Sequence, residues 1–422
     1  METSDEDSEA PLGGGSRRNG GWWERVTTVF HWRRMLRPGE MAGALGDLGT
    51  FLPDVVALGT NSLGPAIPVG AMVFFSGLWS IWAGVLFDIP MPIQPMHTVV
   101  AVCLTEGLSY AELVASGVLL GAALLVLGVT GLIEVCQRVI PLSVVRGLQL
   151  GLGLKTFGVG VRLVLATGAW WTGMGNLDGY AIGLVASAIA LGTYGQKRVP
   201  ASLILFAIGM IGVLLARPAV SALSVAPFAS VPQGLYRWEV WWRALYRAAL
   251  PQLPVTLLNS VVATARLSED LYPHRPAAAN RIAASVGFMD LTCAWFGHFP
   301  SCHGCGGLAG QHLFGARTGS SMALMGLLKM GLALLLGSSL LEALKVFPKG
   351  VVGVLLAVSG IELAVPCRDM SGRSDVAVML LGAGLVLSPA GTGLAFVAAF
   401  CAALVLRCRG AFADDEGCHS GH

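Results

Sequence analysis

The chain has 422 residues, of which 54% are apolar and only 12% are Asp, Glu, Lys or Arg, and its formal net charge is +2. Soluble domains carry about 25% charged residues, so a water-soluble chain of this size could not cover its own surface. A mean hydropathy of +0.69 points instead to an all-α polytopic membrane protein embedded in a lipid bilayer, and the near-balanced charge excludes a nucleic-acid partner held by bulk electrostatics.

In chain order, residues 1–20 are acidic and then Gly- and Arg-rich, a composition of disordered segments and of neither a secretory signal nor a transit peptide. Trp22, Trp23, Val26, Val29, Phe30 and Trp32 alternate with Arg25, Arg33 and Arg34, which predicts an amphipathic helix at the membrane surface. Residues 1–40 are therefore expected to form a cytoplasmic tail with an interfacial helix. Apolar spans are predicted at 41–60, 66–87, 93–105, 111–135, 142–165, 178–195 and 200–216. An aromatic connector over 217–244 precedes spans at 245–264, 280–298, 302–313, 320–342, 348–366, 375–388 and 390–407, and residues 408–422 form a short polar tail. A plain spanning helix needs about 20 residues. The third and tenth spans are too short, and each follows a Pro-broken segment, Pro90-Met91-Pro92-Ile93-Gln94-Pro95 and Phe299-Pro300-Ser301-Cys302-His303-Gly304.

The two halves repeat. Pro141, Val144, Val145, Leu148 and Gly153 recur as Pro348, Val351, Val352, Leu355 and Gly360, and Pro92 recurs as Pro300, at an offset of about 206. Seven spans per repeat is an odd number, so the second repeat, 245–407, is expected upside down relative to the first, 41–216. With both termini cytoplasmic, seventeen of the 27 Lys and Arg fall on the inner side and six on the outer, as positive-inside topology requires. The repeat also sets Lys155 opposite Glu362, where a structural or gating ion pair across the repeats is one option and a substrate contact the other.

Polar residues inside a membrane mark a pathway by default. They cluster as Asp47, Thr50 and Asp54, as Gln94, His97 and Thr98, as Gln252, Thr256, Asn259 and Ser260, and as Ser301, Cys302, His303 and Gln311. A half-helix that starts at mid-membrane leaves its first N–H groups without partners, and with the helix dipole these make an anion site. Broken spans at corresponding positions of two halves point to a transporter's binding site. Asp47 or His97 could carry a coupling proton; each could equally serve structure, as a cap or as a buried hydrogen-bonded His. Cys302-His303-Gly304-Cys305 offers an alternative metal-sensor reading, but a single Cys-x-x-Cys lacks the second half of a zinc ligand set. No nucleophile elbow or Walker loop is present, so neither an enzyme nor a cofactor is expected.

Pro90-Met91-Pro92-Ile93-Gln94-Pro95-Met96 and the stretch from Phe296 to Gln311 resemble the two signature motifs of the molybdate transporters of plants and algae. Gly43-Ala44-Leu45-Gly46-Asp47-Leu48-Gly49-Thr50 and the stretch from Pro251 to Ser260 are similar to that family too. The resemblance implies molybdate uptake feeding molybdenum cofactor synthesis. It also implies the uracil permease-like fold of the related sulfate permeases, with core and gate domains but without their C-terminal regulatory domain. Two departures stand out: His97 where the family leads one to expect Lys, and Cys305 where it leads one to expect a small residue. The expected substrate-binding set is Asp47, Gln94, Met96, His97, Gln252, Ser301, Cys302, His303 and Gly304. Sulfate or another tetrahedral oxyanion is the alternative cargo, and an anion channel the alternative class. A homodimer, and residence in the plasma membrane or an internal membrane, complete the expectations.

Overall fold

A computed structural model describes residues 22–46, 48–60, 68–133, 135, 141–166, 168–171, 178–193, 201–216, 231–337 and 346–408. The first half comprises α1 (Trp22–Val29), α2 (Trp32–Met35), α3 (Pro38–Gly46), α4 (Leu48–Thr60), α5 (Val69–Phe87), β1 (Gln94–Pro95), α6 (His97–Glu106), α7 (Tyr110–Thr130), α8 (Leu142–Leu165), α9 (Tyr180–Gly192) and α10 (Ala201–Ala216). The second half begins with α11, a continuous helix from Trp238 to Leu271. It continues through α12 (Ala279–Cys293), β2 (Ser301–Cys302), α13 (Cys305–Leu313), α14 (Ser320–Leu336), α15 (Lys349–Ala364), α16 (Arg373–Leu387) and α17 (Gly391–Cys408). Among the described residues, five helices are long and apolar enough to cross a membrane by themselves: α5, α7, α8, α11 and α17.

Helix pairs show that the halves are inverted. At the repeat offset α8 corresponds to α15, and these two pack against each other in antiparallel register. Gly153 meets Gly360 and Gly160 meets Gly353, while Cys367 Sγ donates to the Arg146 carbonyl at 3.1 Å. Two equivalent helices that run in opposite directions require a two-fold axis in the membrane plane. The same axis exchanges the pairs α5–α14 and α7–α12. Gly77 faces Gly326 and Gly84 faces Gly319 in one pair, and Gly128 faces Ala284 in the other. Backbones come close because these positions carry little or no side chain, the usual way helices associate where lipid offers no hydrophobic contrast.

The predicted eighth span, 245–264, falls inside a helix that starts seven residues earlier and ends seven later, so the C-terminal part of the expected 217–244 connector is helical. Trp241 Nε1 donates to the Leu235 carbonyl at 2.7 Å and anchors its start. Pro251 and Pro254 do not break it, because π-helical turns at Leu245–Ala249 and Thr256–Val262 flank them. Such wide turns absorb the missing Pro N–H groups and concentrate at functional sites.

Candidate functional site

The two Pro-broken segments cross at the centre of the bundle. There β1 and β2 pair antiparallel, Gln94 opposite Cys302 and Pro95 opposite Ser301, and Met96 N donates to the Pro300 carbonyl at 2.9 Å. Proline fits at this site because each strand pairs on one edge only and Pro95 has no N–H to leave unpaired. An antiparallel crossing sends α6 and α13 away in opposite directions, so both N-termini meet at it. Met96 and Gly304 occupy the N-cap positions in extended conformation, and neither caps its helix with a side chain. Two uncapped helix starts, each equivalent to roughly half a positive charge, therefore converge on one place.

Gln94 is buried, and its amide lies across the first turn of α13. A Cβ at Gly304 would collide with Gln94 Oε1, and one at Gly307 with Gln94 Nε2 and Pro92. Gly306, in contrast, is exposed, with nothing within 4 Å of a Cβ built there. The glycines thus serve two purposes: Gly304 and Gly307 admit Gln94, and Gly306 leaves backbone open to an incoming group.

Other members of the expected set divide by what they touch. His97 Nδ1 lies 2.8 Å from Asp54 Oδ2, the His half-exposed and the Asp buried. Gln252 Nε2 donates to Thr256 Oγ1 at 2.7 Å, and Thr256 Oγ1 reaches Met96 Sδ at 3.8 Å. Gln252 Oε1 and, one residue into α6 from His97, Thr98 Oγ1 are buried without a hydrogen-bond partner. Cys302 Sγ accepts from Ser260 Oγ at 3.0 Å, and Ser301 Oγ donates to the Phe299 carbonyl at 2.8 Å. Both ring nitrogens of His303 are engaged, with the Pro92 carbonyl and with Ser285 Oγ, each at 3.1 Å, and Phe87 meets its ring edge-on. This histidine ties β2 to the segment before β1. Asp47 lies outside the described residues. Among those described, no group of three or more His, Cys, Asp or Glu could hold a metal ion.

Two ion-pair clusters lie beside the crossing, one at the C-terminus of α6 and one at the start of α8. In the first, Glu106, the last residue of α6, lies 3.7 Å from Lys155 Nζ and 3.5 Å from Arg247 Nε. Its Oε1 also accepts from Thr392 N at 2.9 Å and from Thr392 Oγ1. Lys155 is thus engaged with Glu106; the side chain of Glu362 is not among those described. Contact at Gly153 and Gly360 explains the direction of Lys155, since two residues further along a helix turns a side chain about 200° away. In the second, Arg146 Nη2 binds Asp369 at 2.6 Å, and its Nη1 binds Gln149 at 2.9 Å and Asn259 at 3.3 Å. Sequence reading had no signal for Glu106, Arg247 or Thr392, which look like ordinary charged or polar residues at span ends.

A family model described as a molybdate transporter of the MFS superfamily matches residues 39–156 and 244–363. The chain belongs to the molybdate transporter family. The two matched blocks begin at equivalent places in the two repeats, and each contains one broken segment and its half-helix. Two relatives from Arabidopsis thaliana are each 34% identical: molybdate transporter 1, with 86% of either chain covered, and molybdate transporter 2, with 96% of this chain and 94% of that one. A molybdate transporter 1 of Chlamydomonas reinhardtii is 29% identical over 85% of this chain and 89% of its own. In fold, the chain is similar to the transmembrane domain of the cyanobacterial bicarbonate transporter BicA, with a TM-score of 0.61 at 15% identity over 89% of this chain and 98% of that one. It is also similar to the murine anion transporter Slc26a9 in its inward-facing state, with a TM-score of 0.61 at 14% identity over 94% and 73% of the two chains. The fold of this family member is accordingly that of two inverted seven-span repeats with broken third and tenth spans.

Proposed function

We propose that this chain imports molybdate by alternating access, binding the oxyanion where the N-termini of α6 and α13 meet. The convergence of two uncapped half-helices on a buried crossing, in a member of the molybdate transporter family, carries this reading. Backbone N–H groups at Gly304–Gly306, with Thr98 Oγ1 and the Gln94 amide, supply donors to its oxygens, and a hydrogen bond to a charged group contributes about 1.5–3 kcal/mol. His97 and Arg146 stand beside the crossing, each already paired with a carboxylate, Asp54 and Asp369 respectively. Proton coupling, a homodimer and cytoplasmic placement of residues 1–40 and 408–422 belong to the same reading, with a core moving against a gate, each drawn from both repeats, 41–216 and 245–407, and with 217–244 as the outer connector.

Radiolabelled molybdate uptake by cells lacking their own transporter, competed with sulfate and tungstate, tests it. Saturable uptake that tungstate blocks better than sulfate is expected. Equal competition by sulfate would replace molybdate with a broader oxyanion cargo. Gln94→Ala should lower uptake at least tenfold at unchanged surface expression, and unaltered uptake would remove the crossing as the binding site.

A further inference from the structure

We propose that Asp290 and His298 form the proton-binding site of the transporter, a buried pair that takes up a proton when the oxyanion binds. This rests on the reading of the chain as an oxyanion carrier and assigns its coupling site. Asp290, on α12, has no exposed surface, and His298, in the turn leading to β2, has 2%. His298 Nε2 lies 3.3 Å from Asp290 Oδ1, and that same oxygen accepts the backbone N–H of Ser301 at 3.0 Å. One atom therefore joins the pair to the strand that forms the crossing. Asp290 Oδ2 and both ring nitrogens of His298 are buried with no hydrogen-bond partner, so the 3.3 Å approach is an ion-pair contact and not a formed hydrogen bond. Gly121 of α7 packs against the Asp290 backbone, and the Phe75 ring meets the His298 ring edge-on.

Charge arithmetic gives the mechanism. With one shared proton the pair is neutral overall, whether written as carboxylate and imidazolium or as carboxylic acid and imidazole. Without it, a fully buried carboxylate is left with the Ser301 N–H as its hydrogen-bond donor and no countercharge on His298, and an uncompensated buried charge is costly. A dianion at the adjacent crossing raises that cost further, because like charges repel strongly at low effective dielectric. Anion binding and proton occupancy at this pair therefore favour each other, and by linkage the anion binds more weakly as pH rises.

Few other ionisable groups face the pair among the described residues. On its own helix and strand these are the thiols of Cys293 and Cys302; His303 and Cys305 follow the strand, His303 bonding Ser285 of α12, and Asp54 is paired with His97. The α5 helix has no charged residue, and Lys329 of α14 reaches its Ser76, next to Phe75. The sole carboxylate of α7 is Glu112, bonded to Ser109 at the helix start. Between Arg247 and Arg266, α11 is uncharged.

The test is molybdate binding to the purified full-length protein at several pH values, with proton uptake followed in weakly buffered solution. Wild type should take up about one proton per molybdate bound and lose affinity about tenfold per pH unit on the alkaline side. Asp290→Asn retains an acceptor for the Ser301 N–H yet cannot titrate, and His298→Gln removes the other half of the pair. Asp290→Asn should show a flattened pH profile and no proton uptake, and His298→Gln, which leaves Asp290 as the only acceptor, should keep proton uptake at a shifted pH midpoint; a purely structural pair would leave the profile unchanged in both. If Asp290→Asn does not fold, His298→Gln and the wild-type proton uptake decide. Wild-type binding with a flat profile and no proton uptake, or a wild-type profile in both variants, overturns the inference alone. Absence of molybdate binding by wild type overturns the substrate reading with it.

Discussion

At the scale of single residues, the site depends on absent side chains as much as on present ones. Gly304 and Gly307 are required because Gln94 fills the space their Cβ atoms would occupy. Gly307→Ala is expected to lower thermal stability by roughly 1–3 kcal/mol, the usual cost of overpacking, with Gln94→Ala in the same chain restoring much of that stability without restoring uptake. Thermal unfolding of the two variants in detergent, together with uptake, checks this. A second residue-scale expectation concerns Glu40, next to the first span. Its Oε1 accepts from Arg317 N at 3.1 Å and from Thr318 Oγ1 at 2.9 Å, while Oε2 is buried without a partner. Burial raises this carboxyl above its ordinary value, so the folded protein holds the proton more tightly than the unfolded chain. The stabilisation is complete below the unfolded value and is lost as pH rises through the folded one. Glu40→Gln keeps an acceptor and removes the charge, so it should melt higher than wild type at neutral pH. The difference should shrink on acidification, which a series of thermal unfolding curves would measure.

At the scale of elements, the half-helices matter for where they end as well as where they start. The C-terminus of α6 places Glu106 among Lys155, Arg247 and Thr392, and so ties the crossing to α8, α11 and α17. On the proposed alternating-access reading this end opens, and interface ion pairs are among the contacts that repack in such transitions. Glu106→Ala should increase hydrogen exchange over residues 104–112 and 388–395, because the tie that closes this end is gone. The equivalent change at Glu239, whose pair with Arg237 is exposed, should have no such effect, as exposed ion pairs contribute about 0–1 kcal/mol. Mass-spectrometric exchange on both variants distinguishes a gate from a surface pair.

At the scale of the whole molecule, inversion predicts sidedness. Glu269 lies at the end of α11 and Tyr236 just before its start, and both are exposed. A cysteine at each, in a background free of other reactive cysteines, should label with an impermeant maleimide from opposite faces of sealed vesicles. Labelling from the same face would contradict a membrane-crossing α11.

Much of this architecture was legible in the sequence, and the reasons are physical. Lipid forces backbone groups to be satisfied within each helix, so apolar length maps directly onto spans; the predicted 142–165 coincides with α8. Proline and glycine mark where a helix must stop, which located both broken segments and Gln94, Ser301 and Gly304. Span edges were less legible where π-turns carried α11 past its two prolines. What the one-dimensional pattern could not hold was direction and partnership. Lys155 and Glu362 share a repeat position, yet Lys155 is turned towards Glu106. His303 stands in the signature motif but binds the Pro92 carbonyl and Ser285. Asp290 and His298 are eight residues apart with no motif to join them. Composition and spacing alone determined the membrane class, the two repeats and the two breaks, because those follow from local burial and local backbone chemistry. Only the tertiary structure decided which charges meet, because contacts across the two-fold axis depend on helix rotation and on residues some two hundred positions apart.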